Sequence, residues 1–94
     1  MANIHIQHAH QLGLKKARKV ALDWAESAEK KLAMECTYEE GDTYDCIHFK
    51  RQGVTGTMFV RANEFEIDVK LGMLLSAFKG RIEDEINQIL LARL

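Results

Sequence analysis

The sequence contains no proline, only two cysteines and few aromatic side chains, 7% of its 94 residues. No stretch reads as a linker, a repeat or low complexity, so nothing divides the chain, and residues 1–94 read as a single domain. The N-terminus, Met1-Ala2-Asn3-Ile4-His5, lacks the basic and apolar regions of a secretory signal, and with so few cysteines this points to a reducing cytoplasm. Neither sign of charge is in excess: thirteen Lys and Arg face fourteen Asp and Glu, a net charge of −1. Neutralising phosphates favours a clear basic excess, so nucleic acid is not an expected partner. The longest aliphatic run, Ile89-Leu90-Leu91-Ala92, falls far short of the ~20 apolar residues of a membrane span. What remains is 47% hydrophobic and 29% charged, a globular composition. A chain of this length buries roughly two-thirds of its unfolded surface, enough for one core without metals or disulfides.

The charge is unevenly spread. Residues 1–31 hold six basic and three acidic side chains, and residues 32–94 hold seven and eleven. Asn3 to Gln7 alternates, with Ile4 and Ile6 on one face, and predicts a short first strand. From Leu12 to Ala33 the positions Leu14, Ala17, Ala21, Trp24, Ala28 and Leu32 recur at three- and four-residue spacing, with Val20 and Ala25 widening the stripe. This is an amphipathic helix. Leu75, Phe78, Ile82, Ile86, Ile89 and Leu90 repeat the helical spacing between Leu74 and Leu94, with Ser76 as the expected N-cap.

Between the helices lie four alternating segments. Met34, Cys36 and Tyr38 lead to a turn at Gly41-Asp42; Ile47 and Phe49 lead to one at Gln52-Gly53. Gly56, Met58 and Val60 lead to a third turn at Ala62-Asn63, and Phe65, Ile67, Val69 and Leu71 complete the set. With two-residue loops throughout, Cys36 faces Ile47, Ile47 faces Met58 and Met58 faces Ile67, so every apolar set falls on one face. Gly56 then lies between Phe49 and Val69, leaving room for the ring over bare backbone. The expected fold is α+β, β-α-β-β-β-β-α, a mostly antiparallel sheet with both helices on one face and the other face wet. The pattern leaves open whether the first strand lies beside the second or beside the last. The expected core joins Trp24, Phe49, Met58, Ile67, Phe78 and Ile82.

No set of residues announces catalysis. His5, His8 and His10 are metal-capable, but one is on a strand and two lie in the loop beyond it, and no H-E-x-x-H or C-x-x-C occurs. They are read as surface histidines, with no metal and no cofactor expected. Cys36 and Cys46 point to opposite faces, so no disulfide is expected. Ser27 lies within a helix and Ser76 at a cap; there is no G-x-S-x-G and no glycine-rich phosphate loop. Glu64, Glu66 and Asp68 alternate with apolar residues as a solvent-facing row does. The chain is therefore expected not to be an enzyme.

Two features stand out. Lys15, Lys16, Arg18 and Lys19 crowd the first turns of the first helix, and Lys79 and Arg81 open the last, where the helix dipole disfavours cations by a few tenths of a kcal/mol each. An anionic partner at these ends is one explanation; a solvated face is the other, with Lys19–Asp23 and Glu26–Lys30 as i,i+4 pairs. At the C-terminus, Leu91 and Leu94 fall partly off the inward stripe, an expected association surface for a homodimer or for docking on an apolar surface; the alternative is a monomer whose last turn folds over the sheet edge.

The run Leu71-Gly72-Met73-Leu74-Leu75-Ser76-Ala77-Phe78-Lys79-Gly80-Arg81-Ile82-Glu83 resembles the signature of the putative polyhydroxyalkanoic acid (PHA) system family. The opening Ile4-His5-Ile6, His10-Gln11-Leu12-Gly13-Leu14 and Ala17-Arg18 is similar to that family's start, and Gly53-Val54-Thr55-Gly56-Thr57 to its central hairpin. The similarity runs essentially end to end. Members are small bacterial proteins encoded among genes for storage-polyester synthesis and granule proteins. The resemblance brings no catalytic or binding residue with it. Within the signature, Gly72 is expected to end the last strand, Ser76 to cap the helix and Gly80 to allow close helix–sheet approach.

The resemblance points to the PHA storage system, and the lack of a catalytic set to a non-enzymatic accessory protein there, binding a granule surface, a granule protein or a pathway enzyme. A second reading is an RNA- or ribosome-associated domain, because β-α-β-β-β-α orders occur in such proteins; the net charge and the acidic row oppose it, and the Lys15–Lys19 cluster favours it. A third is a small enzyme or ligand carrier with a pocket between helices and sheet.

Overall fold

A computed structural model describes residues 2–94. The elements follow in the order β1 (Ala2–Ala9), α1 (Leu14–Leu32), β2 (Glu35–Glu39), β3 (Tyr44–Arg51), β4 (Val54–Arg61), β5 (Glu64–Leu71), a single 3-10 turn (Ser76–Phe78) and α2 (Lys79–Leu91). The five strands form one antiparallel sheet in the order β1-β5-β4-β3-β2. The first strand thus lies beside the last, with Ile4 opposite Val69 and Ile6 opposite Ile67.

Alternation decides which face each strand buries. Ile4 and Ile6 of β1, Ile47 and Phe49 of β3, Met58 and Val60 of β4, and Phe65, Ile67, Val69 and Leu71 of β5 all turn inward. Helix α1 lays Ala17, Ala21, Trp24 and Ala28 on them, and α2 adds Ile86, Ile89 and Leu90. The small alanines let α1 approach the sheet closely, and Trp24 fills the space between, its ring edge-on to Phe49 at 5.1 Å. The indole N–H donates to the carbonyl of Ile86, 3.2 Å away, so this buried polar atom is satisfied and the two helices are tied together.

The hairpin registers are partly as the pattern predicts. Ile47 faces Met58 and Met58 faces Ile67. Gly56 sits between Phe49 and Val69, and a Cβ there would lie 2.4 Å from two ring carbons of Phe49. The β2–β3 register differs: Tyr38, not Cys36, faces Ile47, and Cys36 faces Phe49. The connection spans residues 40–43 rather than the two residues Gly41-Asp42. A shift of two preserves the side-chain parity, so the apolar set still faces the core.

The C-terminal helix is shorter than its periodicity suggests. It begins at Lys79 rather than directly after Ser76, and neither it nor the 3-10 turn has a side-chain cap. Ser76 is not an N-cap; its hydroxyl donates back to the carbonyl of Gly72 at 3.0 Å. A 3-10 turn advances the chain by about 120° per residue instead of 100°, so the stripe of Ile82 and Ile86 cannot be extrapolated back through it. Phe78 consequently points outward and is 53% exposed, outside the core it was expected to join, whereas Ile82 packs against that core partly buried. Gly80 has no atom within 4 Å of where a Cβ would sit and brokers no close approach. Gly72, as expected, follows the last residue of β5.

Candidate functional site

In an antiparallel sheet the loops collect at two ends. At one end the β3–β4 turn meets the segment between β5 and α2, and the geometry of residues 72–78 is set there. The amide of Gly72 donates to the carbonyl of Gly53 at 2.9 Å, and the amides of Leu75 and Ser76 both return to the carbonyl of Gly72 at 3.1 Å. The chain is folded into tight consecutive turns, with Leu75 turned in against Gly53 and its neighbours Met73 and Leu74 turned out. Met73 is 83% exposed and Leu74 89%, and Phe78, four residues further on, is exposed too. Lys79 and Arg81 follow at once, both exposed, at the N-terminal turn of α2.

Below this knob lies a cleft of about 270 Å³, walled by Leu32 at the end of α1, Met34, Val54, Leu75 and Ile82, with Phe78 at its side. Arg51, Arg81 and Glu85 also line it. Arg51 donates one N–H to the carbonyl of Leu32 at 2.9 Å, and Arg81 lies 3.6 Å from Glu85.

The basic residues at the two helix starts do not form one surface. Helix α1 begins at the opposite end of the sheet, where Gly13 donates to the carbonyl of Ala62; Lys15, Lys16 and Lys19 are exposed there. Arg18 is spoken for internally. Its Nε donates to Asp45 at 2.8 Å and an Nη to the carbonyl of Gly41 at 2.5 Å, with Glu40 3.2 Å away. The Asp45 side chain is sealed from solvent and also accepts from the Gly41 amide and the Tyr38 hydroxyl. Burial alone would raise the Asp45 carboxyl, but the hydrogen bonds from Arg18, Tyr38 and Gly41 outweigh it and hold the group below the usual carboxylate range. The same burial, together with the Asp45 bond, pushes the Tyr38 hydroxyl up, so it stays a donor. At the far end of α2, Leu91 and Leu94 are 43% and 49% exposed.

The histidines part company. His5, on the open face, donates from Nδ1 to Asp68 at 2.5 Å, and its Nε2 is 3.6 Å from Glu66. Donor atoms of His5, Glu66 and Asp68 lie within 4.8 Å of one another and could hold a cation, but Glu66 already accepts from Arg61 at 2.9 Å. Asp68, opposing burial, raises the pKa of His5. His8 and His10 are half-buried rather than surface residues: His8 bonds Asn87 of α2, and His10 lies over Phe65 with its Nδ1 accepting from the Leu12 amide. The sheet brings His5 to carboxylates more than sixty positions away, which no local spacing could reveal.

Cys36 and Cys46 are free and face opposite sides of the sheet. Burial, with Glu29 nearby, pushes the Cys36 thiol up to about 11, and burial also raises Cys46; both are protonated and poorly nucleophilic near neutral pH.

Among the described residues, no helix is long and apolar enough to cross a membrane. No curated protein and no solved structure matches the chain. The family model described as "Putative polyhydroxyalkanoic acid system protein" matches residues 4–94, from β1 through the knob to the last turn. The same segment that carries the outward Met73, Leu74 and Phe78 carries the Leu71–Glu83 run on which the resemblance rests, and with the match spanning both helices and all five strands, the chain belongs to the family of putative polyhydroxyalkanoic acid system proteins.

Proposed function

We propose that this protein is a non-enzymatic accessory protein of the PHA storage system that docks on the polyester surface of a granule through Met73, Leu74 and Phe78. The observation that carries this reading is the exposure of three large apolar side chains on one short, hydrogen-bonded segment, flanked by the cations Lys79 and Arg81. Scattered exposed leucines are ordinary; three large apolar side chains exposed within six residues on a hydrogen-bonded turn suit an interaction surface. Burying such a side chain gains about 1.5–3 kcal/mol before the cost of association, enough for reversible attachment. The non-enzymatic reading is supported by the way polar groups are used: Asp45, Arg18 and Tyr38 satisfy one another, His5 is paired with Asp68, and the thiols are held protonated.

The ribosome-associated alternative is less well supported, because the open sheet face carries Glu35, Glu39, Glu64, Glu66 and Asp68 against Lys50, Arg61 and Lys70. Fractionation of lysate into granules, ribosomes and cytosol, followed by blotting, separates the two readings. With purified polyester granules, the wild type is expected to pellet and a Met73→Asp, Leu74→Asp double variant to stay in solution with an unchanged Tm. A Leu91→Lys, Leu94→Lys variant tests the smaller apolar end, as a second contact or as a homodimer surface read by light scattering. A wild type that remains in the supernatant, or that co-sediments with ribosomes, overturns the docking reading.

A further inference from the structure

The cleft beneath the knob shares Phe78 and Arg81 with the docking reading, but most of its lining, from Leu32, Arg51, Val54, Leu75, Ile82 and Glu85, is not used by it. Neither Met73 nor Leu74 lines it; its walls are aliphatic, and two guanidinium groups reach it from different elements, Arg51 from the end of β3 and Arg81 from the first turn of α2. At about 270 Å³ it falls just below the range of sites that enclose drug-sized molecules or cofactors. That volume and shape suit a single flexible chain. Arg51 uses one N–H on the Leu32 carbonyl, and its other donors remain for a second acceptor. Arg81 has Glu85 on its Nε side at 3.6 Å, a loose and solvent-exposed pair that an incoming anion can displace at modest cost.

We infer that this cleft binds a single-chain aliphatic carboxylate, with the chain along Leu32, Val54, Leu75 and Ile82 and the carboxylate held by Arg51 and Arg81. Guanidinium matches a carboxylate in planar, two-point geometry at the solvent-exposed mouth, and the apolar walls take the chain, so both ends of the amphiphile are recognised. Glu85 faces the same place and opposes an anion there; its charge sets a limit on affinity. The inference goes beyond granule docking and does not depend on it.

The test titrates decanoate and decyltrimethylammonium, each below its micelle concentration, and decanol below its solubility limit, into the isotopically labelled protein and follows methyl and amide NMR signals. Decanoate should shift Val54, Leu75 and Ile82 saturably, decanol more weakly, and the cationic amphiphile not at all. Arg51→Gln and Arg81→Gln should each weaken decanoate about tenfold, the loss of one charge-assisted hydrogen bond. Glu85→Gln should strengthen it several-fold. All three changes are at exposed side chains, so folding is retained and is checked by Tm. The Met73→Asp, Leu74→Asp variant should bind decanoate as the wild type does while failing to pellet with granules, which separates this inference from the docking reading. Equal binding of all three amphiphiles, shifts confined to Met73 and Leu74, or no saturation would each overturn it.

Discussion

Asp45 shows what one buried side chain can do at this size. Its carboxylate receives Arg18, Tyr38 and the Gly41 amide, so removing it takes the acceptor from a hydroxyl and an amide and leaves Arg18 with only Glu40 and the Gly41 carbonyl. Asp45→Ala is expected to cost about 1–3 kcal/mol, the penalty for leaving the hydrogen-bonding groups around it without their acceptor, read from urea melts at pH 7. The pH dependence has a definite sign. Because the folded carboxyl titrates below its unfolded value of about 3.9, its contribution is complete above that value and is lost as pH falls through the folded pKa. Stability measured between pH 5 and 2 should therefore decline in the wild type and decline less steeply in Asp45→Asn. Trp24 and Phe78 form a matched contrast. Trp24→Ala should cost about 3–5 kcal/mol because the ring is fully buried, and Phe78→Ala under ~1 kcal/mol because its ring is half in water. Gly56→Val should lower stability by ~1–3 kcal/mol, since the new group would enter the Phe49 ring; an unchanged Tm would contradict the register.

At the scale of elements, the β3–β4 turn and the segment after β5 act as one piece. Gly53 has a φ of +83°, and a Cβ there would also come within 2.9 Å of Leu75. Gly53→Ala is expected to destabilise the fold by about 1–3 kcal/mol and to speed amide exchange at Leu75 and Ser76, whose bonds to Gly72 depend on that packing. What could be read in the sequence follows from how local the determinant is. The strict alternation of β5 and the turns at Gln52-Gly53 and Ala62-Asn63 are encoded within a few residues, and they fix three strands and the seat of Gly56. The β2–β3 connection is not local in this sense. It is wider than two residues because its backbone wraps the Asp45 carboxylate, an interaction with Arg18 from α1 that no alternation pattern carries. The start of α2 was obscured for a different reason: Leu75 and Phe78 keep helical spacing across a 3-10 turn, so the periodicity is present without the helix. The knob was hidden by the same phase change, and the pairing of His5 with Asp68 by sequence distance.

For the molecule as a whole, the sheet order β1-β5-β4-β3-β2 makes the outermost pairing the one between the two most distant strands. With this one non-local pairing beside three sequential ones, a fold of mixed helix and sheet should refold in milliseconds or slower rather than microseconds, and stopped-flow Trp24 fluorescence reports it directly; a purely microsecond phase would contradict the topology. The same order has a consequence during synthesis. The ribosome makes β1 first and its partner β5 nearly last, so at about 5–20 residues per second roughly 3–12 s pass between the emergence of Ala9 and that of Leu71. For that interval Ile4 and Ile6 have no strand to cover them, and no nascent chain that stops before Glu64 can close the sheet. Strand β1 is thus a waiting strand, and termination anywhere between it and Glu64 yields not a smaller fold but a peptide whose first strand is left unpaired.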